Sequence, residues 1–413
     1  MPDSASLQSL AVIGAGVSGC ALIARLRQLG YEGAIDLWET GRGPGGRAST
    51  RRSRHDSNLQ INHGAPLLNI GATPPPALLD PLLACGALQP WSDRIARLQG
   101  ESSLQLDGTD ALTDGALFQG GGGMDRLGAG LLTLARQTGR GAISTHYATL
   151  VRTLRPSPEG RWQLLDPKGR LLGESDWLVL SSTLLAHPRS SRLFGWPTVP
   201  LKEAAESLGD LQLQHALTTI AGIRFEARSN LLVVLDATAA SAWLHLPFRL
   251  LSFDAAAQQR WGLERVSIQP LADQRCAVVA HSTHAFAADH LDVFGSHSAI
   301  AKQLQLPPDS GREETVIQAL TELLGEAMAP FLASPGGLEQ AERQLMRWGA
   351  AFPVAPGLAT ELALCSGSRL GFCGDYINGA GFGRIEGALR SAELLAERLR
   401  PELEAANLRR SSR

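Results

Sequence analysis

The feature that most constrains this chain is the run Val12-Ile13-Gly14-Ala15-Gly16-Val17-Ser18-Gly19, followed twenty residues later by Glu39. The apolar stretch from Leu10 to Ile13 predicts a buried strand ending in a tight turn at Gly14. Gly16 has no side chain, so backbone N–H groups can approach a pyrophosphate there, and Gly19 lets the next helix pack closely on the sheet. A second strand over 34–38 delivers Glu39, whose carboxylate can accept hydrogen bonds from ribose hydroxyls. Strand, glycines, helix and acid in this order predict a parallel α/β unit that binds an adenine dinucleotide, with Gly14, Ala15, Gly16, Val17, Ser18, Gly19 and Glu39 as its contacts.

The following residues narrow the choice of dinucleotide. Gly45-Gly46 brings the backbone close to a ligand a second time, and Arg47 offers a planar fork suited to phosphate. Asn62-His63-Gly64-Ala65-Pro66 comes next, and Phe372-Cys373-Gly374-Asp375 stands near the other end. In these motifs the chain resembles the flavin-dependent amine oxidase superfamily, and within it the renalase-like branch. The resemblance implies non-covalent FAD, with Gly64, Ala65 and Pro66 beside the flavin and Asp375 of the Gly374-Asp375 motif hydrogen-bonded to its ribitol. Asn62 replaces the acid usual at that place. The glycines of 378–383 lead into a last helix, and its start, around Gly383 and Ile385, favours the negative charge of a reduced flavin. Ala148, in a strand expected around 144–154, is counted with the cofactor residues. Arg347-Trp348 is similar to the family's basic-Trp strand, which makes Trp348 either a substrate wall or a core residue. Gly349-Ala350-Ala351 follows where many renalase-like members carry a large polar side chain.

A length of 413 residues suggests two domains. Because the nucleotide motifs lie at both ends, the FAD domain is expected to be discontinuous: a Rossmann-type α/β unit over 1–75, 121–185 and 366–400. A second, mainly antiparallel sheet domain covered by helices is expected over 76–120 and 186–365, with a tail over 401–413. Strands are expected at 219–225, 231–235 and 276–280, and helices at 285–292, 298–305 and 313–324. Gly120 to Gly123 lacks a preceding buried strand and a Lys-Ser/Thr ending, so it predicts a flexible entry into a helix rather than a phosphate loop.

A net charge of −2 gives no reason to expect nucleic acid as a partner. With no signal peptide and no run of about 18 apolar residues, a cytoplasmic protein without a membrane span is expected. Five scattered cysteines fit reduced thiols. His281, His284 and His290 lack the spacing of a zinc helix, so no metal is expected. Ser181-Ser182-Thr183 lacks the context of a serine nucleophile. Superfamily amine oxidases commonly hold a lysine near flavin N5, and none of Lys168, Lys202 or Lys302 resembles it. The expected activity is hydride transfer to flavin N5 from a small-molecule or dinucleotide donor. By resemblance the donor is a misformed 2- or 6-dihydro NAD(P) isomer, with O2 as acceptor and H2O2 as product. Amine oxidation, carotenoid-type desaturation and a non-catalytic flavin-binding partner are the alternatives.

Overall fold

The computed structural model describes residues 7–53, 55–296, 301–302, 307, 309–332 and 337–410. Among the described residues, six strands form the first sheet in the spatial order Ile143–His146, Ile35–Trp38, Leu10–Ile13, Trp177–Leu180, Leu370–Phe372 and Leu364–Cys365. All neighbours are parallel except the last pair. Counted in chain order, the five parallel strands run 3-2-1-4-5, a doubly wound arrangement. Its switch point lies between Leu10–Ile13 and Trp177–Leu180, where such sheets open a crevice at their carboxyl ends. This is the Rossmann-type unit that the glycine fingerprint predicts.

Helices cover both faces. Val17–Gln28, Asp125–Thr138 and Ile385–Arg410 pack on one side, through residues such as Leu22, Leu131 and Leu395. The final helix runs past Leu399 and Pro401, and Leu403 is buried in the same core, so the tail expected from residue 401 is helix as far as Arg410. The other face is covered by Pro200–Leu208 and Leu211–Gly222 together with a small antiparallel sheet at 153–175. Residues 186–222, expected in the second domain, therefore pack against the first sheet. So do Leu78, Leu79, Leu82 and Leu88. Of 76–120, the strands Ile95–Gln99 and Ser103–Leu106 alone join the large sheet.

That large sheet has the order Glu342–Val354, Arg224–Leu235, Cys276–Ser282, Leu263–Pro270, Leu250–Phe253, Ile95–Gln99 and Ser103–Leu106. It is antiparallel except where Leu250–Phe253 meets Ile95–Gln99. Helices Ala237–Leu244, Ala255–Trp261 and Ser310–Met328 bury one face, through Trp243, Trp261 and Leu320. The opposite face meets the Thr50–Arg52 and Gln60–Asn62 hairpin through Ile61, Leu232, Ala277 and Val279.

Three local expectations are corrected. The strand expected at 219–225 is mostly helix: Asp210 caps it by accepting from the N–H groups of Gln212 and Leu213, and Leu213, Ala216, Leu217 and Ile220 recur at helical spacing. The strand proper is Arg224–Leu235. The strand expected over 144–154 is two, Ile143–His146 and Thr153–Pro156, in different sheets. The helix expected at 285–292 is the short His284–Ala288, capped by Thr283. Except for 301 and 302, the helix expected at 298–305 lies outside the described residues. Among the described residues no helix is long and apolar enough to cross a membrane.

Candidate functional site

Two glycine loops meet at the switch point. The Gly14 N–H donates to the Trp38 carbonyl at 2.8 Å, and the Gly45 N–H donates to the Ala15 carbonyl at 2.8 Å. A Cβ on Gly14 would stand 2.4 Å from Ser181 Oγ, and one on Gly19 would stand 2.1 Å from the Gly14 carbonyl oxygen. These two glycines are fixed by packing of the protein on itself. Gly16 differs, because a Cβ there would meet no atom within 4 Å. Its open side faces a cavity of about 760 Å³, lined by Gly14, Gly16, Val17, Ser18, Gly45 and Gly46 at this end. That volume lies within the ~300–1,000 Å³ range of small-molecule and cofactor sites. Open space over a glycine, two loops offering backbone N–H groups and a helix N-terminus together fit a pyrophosphate.

Glu39 lies at the far edge of this cradle. Its carboxylate accepts from the Ala15 N–H at 2.8 Å and from the Gly41 N–H at 2.5 Å. Burial pushes its pKa up, and the two N–H groups oppose the shift. Each oxygen keeps a further lone pair for a ribose hydroxyl. Ala15 and Gly19 stand behind the lining. Ala148 is not in it either: it adopts a left-handed turn (φ +52°) and its N–H donates to the Gly41 carbonyl. Thr149, Leu150 and Val151 line the cavity there instead.

Arg47 is not a free fork. It grips Asp375 with two parallel bonds, both 2.6 Å, and also donates to the Ala351 carbonyl at 2.7 Å. Burial works against its charge, but the Asp375 carboxylate outweighs that and holds the guanidinium pKa above its usual value. The Ala65 N–H donates to the Arg47 carbonyl, and a Cβ on Gly64 would stand 1.9 Å from that oxygen. Gly64, Ala65, Pro66, Asp375, Gly383 and Ile385 line the middle of the cavity, whereas Gly374 is turned away and bonded to Ser391.

Trp348 lines the far end. Its indole stacks on His63 with ring centres 5.6 Å apart and 12° between the planes, and Nε1 donates to the His63 carbonyl. Gly349, Ala350 and Ala351 also face the cavity, so this wall is open and apolar. Lys168, Lys202 and Lys302 do not line it. Among the described residues no group of three or more His, Cys, Asp or Glu side chains is placed to hold a metal, and the cysteines are free thiols.

A polar floor completes the cavity, and the sequence motifs did not show it. Strand register sets Asn230 opposite His281, and His281 opposite Arg265, in one row across three strands. His63 adjoins the row, since the Asn230 amide donates to its carbonyl at 2.7 Å. All four are at least nine-tenths buried. His63 Nδ1, Asn230 Oδ1, His281 Nε2 and Arg265 Nε and Nη2 find no hydrogen-bond partner. An unsatisfied buried polar group costs about 1–3 kcal/mol, so a cluster of them marks a place built for something else to complete. Arg228, beside the row, is saturated by Glu226 at 2.8 Å and Glu264 at 2.5 Å.

Burial lowers the pKa of His63 to about 4 and that of His281 to about 3, with Arg51 and Arg265 adding repulsion. Both rings are therefore neutral at neutral pH. Protons that the unfolded chain binds below about pH 6.5 are refused by the folded one, so stability is complete above that pH and declines as pH falls toward 4. The slope is at most about 1.4 kcal/mol per pH unit for each ring. Glu39, with its raised pKa, acts in the opposite sense. Urea midpoints of wild type and of His63→Gln/His281→Gln between pH 7 and 4.5 isolate the histidine part: the double variant is expected to show the flatter profile, and parallel profiles would refute it.

Residues 12–78 match the family described as the NAD(P)-binding Rossmann-like domain. No curated protein matches the sequence. Solved structures share the fold across nearly the whole chain. Cyclohexylamine oxidase from Brevibacterium oxydans has a TM-score of 0.59 at 12% identity, covering 96% of this chain and 100% of its own. An oxidoreductase from Methanosarcina mazei has a TM-score of 0.57 at 13% identity, covering 94% and 100%. A provisionally assigned protoporphyrinogen oxidase from an Exiguobacterium species has 0.56 at 12%, covering 96% and 99%. At these identities the likeness is one of fold.

Proposed function

We propose that this chain is an FAD-dependent oxidoreductase whose hydride donor is a misformed dihydronicotinamide dinucleotide, the 2- or 6-dihydro isomer. The observation that carries the reading is a single cavity with two differently built ends. One end is the glycine cradle with Glu39, and the other is the neutral polar floor under Trp348. Gly14, Gly16, Val17, Ser18, Glu39, Gly45 and Gly46 would hold the adenosine diphosphate part of FAD. Arg47, Gly64, Ala65, Pro66, Asp375, Gly383 and Ile385 would hold the remainder. When bound there, the flavin would supply hydride-accepting chemistry, with O2 as the final acceptor and H2O2 as product.

The floor favours a carboxamide over an amine. Arg265 has donors that need an acceptor, and Asn230 Oδ1 needs a donor. A carboxamide offers both. A protonated amine would meet Arg265 and Arg228, whose acids Asp110, Glu226 and Glu264 are, among the described residues, not part of the cavity lining. The neutral histidines add polar contacts without charge. Trp348 and His63, stacked on each other, give a flat wall that restricts the orientation of a planar ring.

Anaerobic mixing of the FAD-loaded protein with 2-, 4- and 6-dihydronicotinamide dinucleotides and a panel of amines tests this by flavin absorbance. The 2- and 6-isomers are expected to bleach the flavin at least about 100-fold faster than ordinary NADH or any amine, which corresponds to about 2.7 kcal/mol of barrier. Fast bleaching by an amine would transfer the assignment to amine oxidation. A flavin that no donor bleaches would favour a non-catalytic binding protein.

A further inference from the structure

Among the described residues, several guanidinium groups that line the cavity make no salt bridge, and two of them, Arg189 and Arg347, are each backed by an aromatic ring. Arg189 and Arg347 both line it, one from the segment that follows the fourth parallel strand, the other from the edge strand Glu342–Val354 of the large sheet. Arg189 donates to Thr183 Oγ1 at 3.1 Å and lies over the Phe225 ring at 4.8 Å. Arg347 donates to the Leu291 carbonyl and lies over the Phe294 ring at 4.1 Å. In each, Nε is buried and unbonded.

The acids nearest to them are already committed. Asp375 is held on both oxygens by Arg47 at 2.6 Å, and Asp292 is held on both by Arg312 at 2.7 and 2.8 Å. Burial first, and for Arg189 repulsion from Arg47 and Arg347 next, lowers both pKa values to about 10, so both remain charged at neutral pH. Holding a desolvated cation without a counter-ion is costly. Their aromatic backing restrains both side chains and shields one face of each from water. The arrangement is a socket for an anion reached from both sides of the cleft.

We propose that Arg189 and Arg347 together bind a phosphate-bearing part of the substrate, as a second anion site distinct from the glycine cradle. This deepens the assignment above and rests on FAD occupying that cradle. The site gives the protein a reason to prefer phosphorylated donors over the bare heterocycle, and it repels cationic ones. Phosphate is the fitting class because two forks approaching from opposite walls can each take two oxygens of a tetrahedral anion or a pyrophosphate.

The test is calorimetric titration of inorganic pyrophosphate into the FAD-loaded protein at low ionic strength. Saturable binding of one pyrophosphate per chain is expected, weakened at least tenfold in Arg189→Met and in Arg347→Met while both variants keep their FAD. Arg347→Lys, which preserves charge but not the fork, is expected to fall between. Arg260→Met, at an exposed arginine outside the cavity, is expected to match wild type. Loaded protein that ignores pyrophosphate, or methionine variants that bind it equally well, would overturn the proposal. Loss of FAD from the variants would also overturn it, by assigning both arginines to the cofactor. A chain that takes up no FAD at all overturns the cofactor reading itself, and is distinguished at once by the missing flavin spectrum.

Discussion

Arg47→Ala is expected to cost the apoprotein about 3 kcal/mol of folding stability, and Asp375→Ala distinctly less. The asymmetry follows from where each side chain faces. Asp375 is 5% exposed and both its oxygens depend on Arg47, so removing the arginine strands a buried carboxylate. Breaking a buried pair in this way typically costs about 3–5 kcal/mol. Arg47 is 42% exposed toward the cavity, so after loss of Asp375 water can solvate much of the remaining charge. About 1–2 kcal/mol is expected there. Replacing both with alanine should cost less than the sum, because no charge is left buried alone. Urea unfolding of the two single variants and the double variant measures all three. Additive losses would mean that the 2.6 Å contacts are not coupled in solution. The same geometry alters the expectation for cofactor binding. Arg47→Ala should still weaken FAD more than Arg52→Ala, whose partner is Asp125 at the edge of the cavity. Part of that loss comes from displaced Asp375 and from Gly64 and Ala65, which rest on the Arg47 backbone, and not from a missing phosphate contact alone.

The half of the site near Gly14 was legible because its determinants are local. A strand, three glycines and an acid within thirty residues fix a βαβ unit whatever the rest of the chain does, and the fold follows from that unit and the strand at 370–372. The other half was hidden for the opposite reason. Asn230, His281 and Arg265 come together only through the register of three antiparallel strands, and no spacing in the sequence encodes register. His281 drew attention as a possible metal ligand because it neighbours His284, yet its meaningful neighbours are across the sheet. Arg47 illustrates a subtler limit. Its residue type and position after Gly45-Gly46 suit phosphate, and only the fold shows Asp375, 328 positions away, already holding it. The segment 219–225 misled because its alternation reads as β, whereas the Asp210 cap and the apolar spacing of 213–220 decide for helix over its first half.

Gly16→Val is expected to give a folded protein that no longer binds FAD. At most glycines of the fingerprint this separation is impossible. A side chain at Gly14 would run into Ser181 while adopting φ +106°, and one at Gly19 would strike the Gly14 carbonyl, so both variants should misfold before cofactor binding could be assessed. Gly16 has φ −68° and ψ 177°, a conformation open to any residue, and its built Cβ touches nothing within 4 Å. Valine there projects into the cavity between the two glycine loops, where a pyrophosphate would have to lie. Loss of at least 100-fold in affinity is expected, about 2.7 kcal/mol. Apoprotein of the variant should keep the wild-type circular dichroism and urea midpoint, because a Cβ at this position meets no protein atom within 4 Å. Titration of FAD into both apoproteins, followed by flavin fluorescence, gives the affinities, and mass spectrometry of the cofactor released from wild type is expected to show FAD and not FMN. A variant that keeps full FAD affinity would mean that the pyrophosphate lies elsewhere. A variant that fails to fold would mean that the space over Gly16 is not open in solution. Only folded, flavin-free protein supports the cradle as the cofactor's anchor, and it also supplies the blank against which pyrophosphate binding at Arg189 and Arg347 can be read without FAD in place.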